Sequence, residues 1–293
     1  MHGSQLFGQQ PTFRGADFGI PEVAFFGYVQ FRNAVATTDS WDDHGGAELV
    51  FVRTGEACWE TPGNRLLRLN GGKGIVFPPN HRHRIINGVY TPCQLFWIEF
   101  QPLDIAKTAC KLIPAEEIEA IFELARSRSV PVALGESLMR NLAGLCSLLA
   151  DENLLIGSRM LMADLRSKFY AAIVDFWKVS AGERGARSVS PIVREAETLL
   201  QLELGHDDIP AISERVGCRK SHLYELFKRE IGMAPNDYRQ RLRIKQSCDL
   251  LSRTDEHVTD IAMNMGYSSS QYFSRVFKKY TGFTPLKYRA LFR

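Results

Sequence analysis

Apolar and polar positions follow two different periods along the chain, and the change of period predicts its domains. Between about Val23 and Phe100, short aromatic and β-branched runs alternate with turn sequences, and this regular spacing is typical of a small β-barrel or jelly roll. The clearest strand runs are Phe25 to Val29, Leu49 to Val52 and Gln94 to Ile98, and turns are predicted at 61–64 and 70–72.

A helical pattern follows from Pro114 to Trp177, where apolar residues recur every three or four positions. A small, polar, glycine-bearing segment at 180–190 then predicts a linker, and Pro191 suits the first turn of a new helix. We therefore expect a multidomain α+β protein: sheet-rich over 1–103, helical with a linker over 104–188, and all-helical over 189–293. The helical stretch repeats its apolar positions at Leu138, Leu142, Leu145, Leu148 and Leu149.

An internal repeat is the strongest pattern in the chain. Each copy predicts a short helix, a glycine turn and a second helix, which is the helix-turn-helix arrangement. In the first copy, the supporting helix is expected at Ile209 to Val216 and the second helix at Lys220 to Glu230. In the second copy, the supporting helix is expected at Val258 to Met265, and the second helix is capped by Ser269 and runs to about Tyr280. Ile212, Gly217, Phe227, Lys228, Gly232, Pro235, Tyr238 and Arg239 return as Ile261, Gly266, Phe277, Lys278, Gly282, Pro285, Tyr288 and Arg289.

The second helix of each copy is predicted to be apolar inside and polar outside. The buried positions are expected to be Leu223, Leu226 and Phe227 in one copy and Phe273, Val276 and Phe277 in the other. Gln271 and Arg275 are the predicted base readers, because such side chains pair with adenine and guanine edges, whereas lysines suit phosphates. The full set of candidate DNA-binding residues is Lys220, Ser221, Tyr224, Glu225, Lys228, Ser270, Gln271, Ser274, Arg275 and Lys278.

The segment between the copies and the charge of this region support the same interpretation. Pro235 to about Ser252 predicts one helix of about 18 residues, roughly 27 Å long, which would hold two recognition helices about one duplex turn apart. Residues 211–293 carry 16 Lys and Arg against 8 Asp and Glu, whereas residues 1–210 carry 20 against 25. The basic end is therefore expected to attract a polyanion.

The same carboxyl-terminal hundred residues contain further spaced motifs: the runs 243–251, 258–262, 266–267 and 272–279, with Gly282, Pro285, Tyr288 and Arg289. With these motifs, the region closely resembles the AraC/XylS-type transcription regulators. The resemblance implies a ligand-responsive regulator whose partners are double-stranded DNA, RNA polymerase, a small effector and a second copy of the chain. It favours the helical middle region as the dimer contact, and the alternative is that this region packs against the barrel of its own chain. Two departures stand out: Arg219 replaces a common capping serine, which predicts a weaker cap or a phosphate contact, and Glu225 is not an arginine.

A second pattern lies in the sheet-rich region. Asp42-x-His44-x3-Glu48-x6-Gly55 is followed by Gly72-x5-Pro78-x-Asn80-x2-His83-x3-Asn87. The pair resembles the two cupin motifs, with Asp42 in place of the first histidine and Asn80 in place of a glycine. The resemblance implies a cupin-like barrel in which the histidines and the carboxylate converge from different strands.

The residues of this pattern have three open interpretations. They are polar contacts to an organic effector, ligands of a transition metal, or purely structural groups. For a metal, the ligands would be His44, Glu48 and His83, since two imidazoles and a carboxylate can hold zinc, iron or manganese. For an effector, typically held between apolar walls with a few polar groups, the candidate contacts are Trp41, His44, Glu48, His81, His83 and Trp97.

Taken together, these patterns predict a cytoplasmic, effector-responsive DNA-binding regulator that is not an enzyme. We expect an activator rather than a repressor, and the family resemblance implies that the effector is a sugar. Two other functions stay open: a metal-dependent cupin enzyme with a DNA-binding tail, and a constitutive DNA binder whose barrel is a scaffold. The absence of a signal-peptide pattern and of long apolar runs predicts a soluble, non-exported chain. The six cysteines lack a Cys-x-x-Cys pair, which favours reduced thiols.

Overall fold

The chain divides into two units. The computed structural model describes residues 12–37, 40–109, 111–127, 130–150, 158–182, 189–202, 204 and 208–293. One unit holds residues 1–30, 37–88 and 93–187, and the other holds 31–36, 89–92 and 188–293. Most of the predicted linker at 180–190, the amino-terminal segment to residue 11 and Cys110 lie outside the described residues.

The first unit is built on an antiparallel sheet, as the strand pattern predicts. Its strands follow the order β1-β2-β9-β4-β6-β10, with β5 and β7 paired to β4. Their bounds are β1 (Thr12–Arg14), β2 (Val23–Phe31), β4 (Glu48–Thr61), β5 (Arg65–Asn70), β6 (Lys73–Phe77), β7 (Arg84–Ile85), β9 (Cys93–Phe100) and β10 (Val132–Ala133), and short 3-10 turns cover Gly15–Phe18 and Ile86–Gly88. The strands β3 (Val35–Ala36) and β8 (Val89–Tyr90) form a separate two-stranded sheet that belongs to the second unit.

The long strand β4 organises this sheet. Its first half pairs with β9 on one side and β6 on the other, and its second half pairs with β5 and β7. Side chains alternate along a strand, so Leu49 and Phe51 face one side while Glu48 and Val50 face the other. We call the second side the Glu48 face.

The helices of the first unit cover the face opposite to the Glu48 face. Phe51 packs edge-on against Phe176 at 5.3 Å, and Phe26 packs against Phe169 at 5.2 Å. The leucines 138, 142, 145 and 149 are buried in this same core, with Leu148 packed against it. These helices are α1 (Leu103–Ala109), α2 (Ala115–Ser127), α3 (Glu136–Leu149) and α4 (Arg159–Ser180).

Two expectations for the helical middle stretch need correction. The stretch contains the two-residue strand β10, whose Val132 pairs with Gly74 of β6. The periodic leucines also do not form the expected dimer contact, because they pack into the core beneath the sheet of their own chain. The leucines that the periodicity singled out are therefore not a free surface for a second copy.

The second unit contains the predicted helices, and the bounds agree closely. The helix Lys220–Glu230 begins and ends where the pattern places it, and the connecting helix extends one residue beyond the expected Ser252. The bounds are α5 (Pro191–Leu202), α6 (Ile209–Arg215), α7 (Lys220–Glu230), α8 (Pro235–Arg253), α9 (Val258–Asn264), α10 (Ser270–Thr281) and α11 (Pro285–Phe292).

The repeat in the sequence is a repeat in backbone geometry. Gly217 and Gly266, which follow the supporting helices, have φ angles of 68° and 72°, a left-handed conformation that favours glycine. The edge-on ring pair Phe227 with Tyr238, at 5.8 Å, returns as Phe277 with Tyr288, at 5.4 Å. Each copy therefore folds around its own core.

The helix α8 belongs to both cores of the second unit. Its early residues Tyr238 and Leu242 pack against the first core, and its later residues Ile244 and Leu251 are buried in the second. With 19 residues, α8 is about 28 Å long. One continuous helix thus connects the two helix-turn-helix copies.

The helices and the cysteines were compared with the expectations for membrane spans and disulfides. None of the helices in the described part of the chain is long and apolar enough to cross a membrane. Within the described residues, no disulfide joins the cysteines at 58, 93, 146, 218 and 248.

Candidate functional site

The outer faces of α7 and α10 form the candidate DNA-binding surface. Their inner faces pack into the core, since Leu223, Phe227, Phe273 and Phe277 are fully buried. The prediction that Val276 is buried was wrong, because this residue is half-buried. Of the ten candidates, Lys220, Ser221, Glu225, Lys228, Gln271, Arg275 and Lys278 are exposed, and Tyr224, Ser270 and Ser274 are half-buried.

Tyr224 is tied to the next helix. Its hydroxyl oxygen accepts a hydrogen bond from the Asn236 amide at 2.6 Å, and the Lys220 ammonium lies 5.9 Å from its ring centroid. Asn236 did not figure in the sequence interpretation, because the bond joins two helices and leaves no periodic signal. These two contacts restrain the Tyr224 side chain.

The two recognition helices begin differently, as the sequence predicts. The Ser269 hydroxyl accepts a hydrogen bond from the Tyr272 backbone N–H at 3.2 Å, whereas Arg219 makes no side-chain cap bond at the start of α7. Both residues have extended backbones, the conformation of an N-cap. The weaker cap at Arg219 is confirmed.

Tyr272 is an exposed aromatic residue that sequence reasoning missed. The Arg275 guanidinium lies over its ring, with the central carbon 5.6 Å from the ring centroid. The Tyr267 ring lies 6.0 Å from the Tyr272 ring, between centroids. The three-residue spacing of Tyr272 and Arg275 on a helix is the signal that could have found this pair.

A separate polar cluster lies in the first unit, where the two cupin-like motifs run side by side. The Asp42 N–H donates to the His83 carbonyl at 2.7 Å, and the His83 N–H donates back at 3.2 Å. The Asn80 N–H donates to the His44 carbonyl at 2.8 Å. Asn80, at the glycine position of the motif, has a φ of 59°, the left-handed conformation that asparagine tolerates.

These backbone bonds bring His44, Glu48 and His83 together, as the motif predicts. The Glu48 Oε2 atom lies 3.4 Å from His44 Nε2 and 3.3 Å from His83 Nε2. All three side chains are buried. We call these three residues the triad.

Within the triad, His44 and Glu48 change each other's pKa. Burial favours the neutral form of His44, but contact with the Glu48 carboxylate outweighs it and raises the pKa of His44 to about 9. Burial likewise opposes the charge of Glu48, yet the two imidazoles lower its pKa to about 2. In the metal-free protein, His44 and Glu48 therefore form a buried ion pair.

Two more carboxyl groups lie close by. Glu99 pairs with Glu48 across β4 and β9, and burial together with the Glu48 charge raises its pKa to about 7. Burial and the same charge raise the pKa of Asp42. Sequence reasoning missed Glu99, although strand alternation places it on the face of Trp97.

The other effector candidates surround the triad unevenly. Trp97 is buried on the Glu48 face, because its strand partner is Val50. The rings of His83 and His81 stack on Phe77, with centroid distances of 4.2 and 5.6 Å. Trp41 is half-buried and covered by arginines, with Arg84 4.9 Å from its ring centroid.

Comparison with known proteins agrees with this division of the chain. Residues 36–166 match the family described as "AraC-like ligand binding domain", and residues 212–291 match the family described as "Helix-turn-helix domain". The chain therefore joins a ligand-binding domain to a helix-turn-helix domain. Both domains are thus similar to those of AraC-type transcription regulators.

The similarity to individual proteins is partial. An arabinose operon regulatory protein of Salmonella typhimurium is 38% identical over 85 residues, which is 29% of this chain and 30% of that protein. An Msm operon regulatory protein of Streptococcus mutans is 26% identical over 133 residues, 45% of this chain and 48% of its own length. The chain thus spans less than half the length of these relatives. The carboxyl-terminal domain of AraT, from Geobacillus stearothermophilus, aligns at 29% identity with a TM-score of 0.34, over 35% of this chain and 86% of that domain.

Proposed function

We propose that this chain is a cytoplasmic, sequence-specific DNA-binding regulator of transcription whose sheet-rich unit binds a small effector. The duplicated helix-turn-helix unit carries this proposal. Its two copies share glycine turns and edge-on ring pairs, and each presents a polar outer face. A structural role alone does not require two such faces.

The DNA-reading step follows from this arrangement. Recognition helices enter the major groove and read base edges with exposed polar side chains. On α10, Gln271 and Arg275 read bases. On α7, the base readers are Ser221, Tyr224 and Glu225, of which Glu225 accepts a hydrogen bond from cytosine. Lys220, Lys228 and Lys278 contact phosphates. Ser270 and Ser274 lie at the edge of the α10 surface.

The effector step belongs to the sheet-rich unit. One relative is named for the arabinose operon, and we infer that the effector here is a sugar or a related small molecule. The triad and His81 supply polar contacts, while Trp97 and Trp41 supply apolar walls. Effector binding shifts the balance between DNA-binding states, as required of a ligand that binds one state more tightly.

A second copy of the chain and RNA polymerase complete the proposal. Because the leucines of α3 are buried, the dimer contact falls on the outer face of α4, where Met160 is 80% exposed. The dimer then acts as an activator by recruiting RNA polymerase. These assignments make the protein a regulator and not an enzyme.

Selection from a random duplex pool tests the DNA-reading step without knowledge of the operator. The full chain is expected to enrich a motif with two half-sites about 10 base pairs apart. Gln271→Ala and Arg275→Ala should each relax the motif, whereas Arg194→Ala, which removes an exposed charge on α5, should leave it intact. No enrichment over bulk DNA at physiological salt would overturn the proposal.

A thermal-shift panel of sugars tests the effector step. A true effector raises the unfolding temperature of the sheet-rich unit by mass action, and it should also change the affinity for the selected DNA motif. Stabilisation without any change in DNA affinity would mean that binding is not regulatory. If no sugar acts on either readout, the sugar class is wrong.

A further inference from the structure

We propose that the triad is a binding site for a divalent first-row transition metal, held by His44 Nε2, His83 Nε2 and Glu48 Oε2. The proposal goes beyond the regulatory function and does not depend on it. The three ligand atoms all lie within 4.8 Å of one another. The interpretation of these residues as metal ligands thus receives a geometric basis.

The distances within the triad already suit a metal. Ligand atoms about 2.1 Å from a tetrahedral ion stand roughly 3.4 Å apart. The two separations from Glu48 Oε2 are 3.4 and 3.3 Å. Both pairs of ligand atoms that include Glu48 Oε2 therefore already have the separation that an ion requires.

The outer nitrogens of both imidazoles are held by backbone carbonyls. His44 Nδ1 donates to the Gly46 carbonyl at 2.7 Å, and His83 Nδ1 donates to the His81 carbonyl at 3.0 Å. A carbonyl oxygen only accepts, so the Nδ1 atoms carry protons and the Nε2 atoms point toward Glu48. Metal-ligating histidines typically show this arrangement, because it fixes the tautomer and the ring.

Two buried atoms of the triad lack hydrogen bonds. Among the described residues, His44 Nε2 and Glu48 Oε2 form none that satisfies hydrogen-bond geometry, despite their proximity. Although the two atoms attract each other as an ion pair, buried polar atoms without a well-directed hydrogen bond leave bonding capacity unused and call for an explanation. A metal ion bonded to both atoms supplies one.

The triad is also rigidly supported. His83 lies flat against Phe77, with ring centroids 4.2 Å apart and planes 8° apart. The paired backbone bonds between Asp42 and His83 fix the strand segment that carries it, and Glu48 starts the central strand β4. Rigid ligands lose little entropy when they bind an ion.

The donor set indicates the class of metal. Two imidazoles with one carboxylate suit zinc, iron, nickel or manganese, whereas magnesium and calcium prefer all-oxygen sites. Three protein ligands leave positions open on such an ion. Water or an oxygen atom of the effector would take them.

The test uses full-length protein without a polyhistidine tag, stripped with chelator and titrated separately with Zn²⁺, Ni²⁺, Mn²⁺ and Mg²⁺. We expect one bound transition ion per chain by elemental analysis, a raised unfolding temperature with at least one of the first three ions, and no effect of Mg²⁺. Glu48→Gln and His83→Gln should weaken binding by about tenfold or more. His81→Gln, a neighbouring histidine outside the triad, should bind as the wild type does.

Several results would overturn the proposal. The proposal is wrong if the wild-type chain binds no stoichiometric transition metal. It is also wrong if Glu48→Gln and His83→Gln leave metal binding unchanged. If these variants fail to fold by circular dichroism, pulsed electron paramagnetic resonance of the wild type with one equivalent of Cu²⁺ decides. Two coordinated imidazole nitrogens support the triad, and their absence contradicts it. Motif selection by the second unit is measured separately, so failure here leaves the DNA-reading proposal standing.

Discussion

The Arg275 guanidinium rests over the exposed ring of Tyr272, 5.6 Å from its centroid. A cation over an aromatic face is held in a limited range of orientations. Arg275 is exposed on the outer face of α10, so the contact restrains a side chain that remains accessible to DNA. The ring of Tyr272 thus prepares the side chain that we assign to base reading.

The first prediction concerns this pair. Arg275→Ala should relax base preference at one position of the selected motif, with a loss of about 1 to 3 kcal/mol. Arg275→Lys should restore affinity but not the preference, because lysine cannot pair bidentately with guanine. Tyr272→Leu should weaken the preference at the same position by releasing Arg275. Equal weakening on every sequence would make Arg275 a phosphate contact.

The second prediction concerns the starts of the recognition helices. Ser269→Ala removes the cap bond to Tyr272 and should lower the free energy of unfolding of the second unit by about 1 kcal/mol. Arg219→Ala, at the matching position of α7, removes no cap bond and should leave stability nearly unchanged. Urea unfolding of both variants checks the difference. Equal losses would show that capping does not distinguish the two helices.

Local patterns in the sequence predict the second unit well. Apolar spacing and a proline at the first turn define helices such as α7 and α8 because these signals act within a few residues. The glycines 217 and 266 mark turns because their φ values exclude most other residues. Such features need no knowledge of distant parts of the chain.

Long-range partners are harder to predict. The period of α3 shows that Leu142 faces an apolar surface, but not that the surface is the chain's own sheet. The two-residue strand β10 has no periodicity to detect, and the bond between Tyr224 and Asn236 joins different helices. The triad was predictable, because its motif resemblance fixed spacings in both segments, whereas Glu99 required the register of β4 with β9.

The third prediction concerns phosphate contacts. Lys228→Ala and Lys278→Ala should weaken binding to all DNA sequences alike. Each should reduce the slope of log affinity against log salt by about 1, because one fewer phosphate is neutralised. Fluorescence anisotropy at several salt concentrations measures the slope. A change in motif without a change in slope would assign these lysines to base reading.

The fourth prediction follows from the coupled charges of the triad in metal-free protein. The pKa of Glu48 falls from 4.5 to about 2, so its stabilisation is present above pH 4.5 and lost as the pH falls toward 2. The pKa of His44 rises from 6.5 to about 9, so its stabilisation is present below pH 6.5 and lost as the pH rises toward 9. The contribution of the pair is therefore greatest between pH 4.5 and 6.5.

Chelator-treated protein allows a direct measurement. Urea unfolding of the wild type at pH values inside and above this window should show a fall in stability on the alkaline side. Glu48→Gln removes the carboxylate that holds the proton on His44, so its alkaline decline should be smaller. If both proteins lose the same stability, another group causes the decline.

The fifth prediction separates core packing from dimerisation in the helical stretch. Leu142 is fully buried, so Leu142→Ala should lower the free energy of unfolding by about 2 to 5 kcal/mol through lost contacts and a cavity. Met160 is 80% exposed, and Met160→Ala should change stability by less than about 0.5 kcal/mol while weakening any dimer that uses the outer face of α4. Urea unfolding and sedimentation velocity measure the two effects independently. If Leu142→Ala instead dissociates a dimer at unchanged monomer stability, then α3 contacts the second copy and its leucines do not stabilise the core of their own chain.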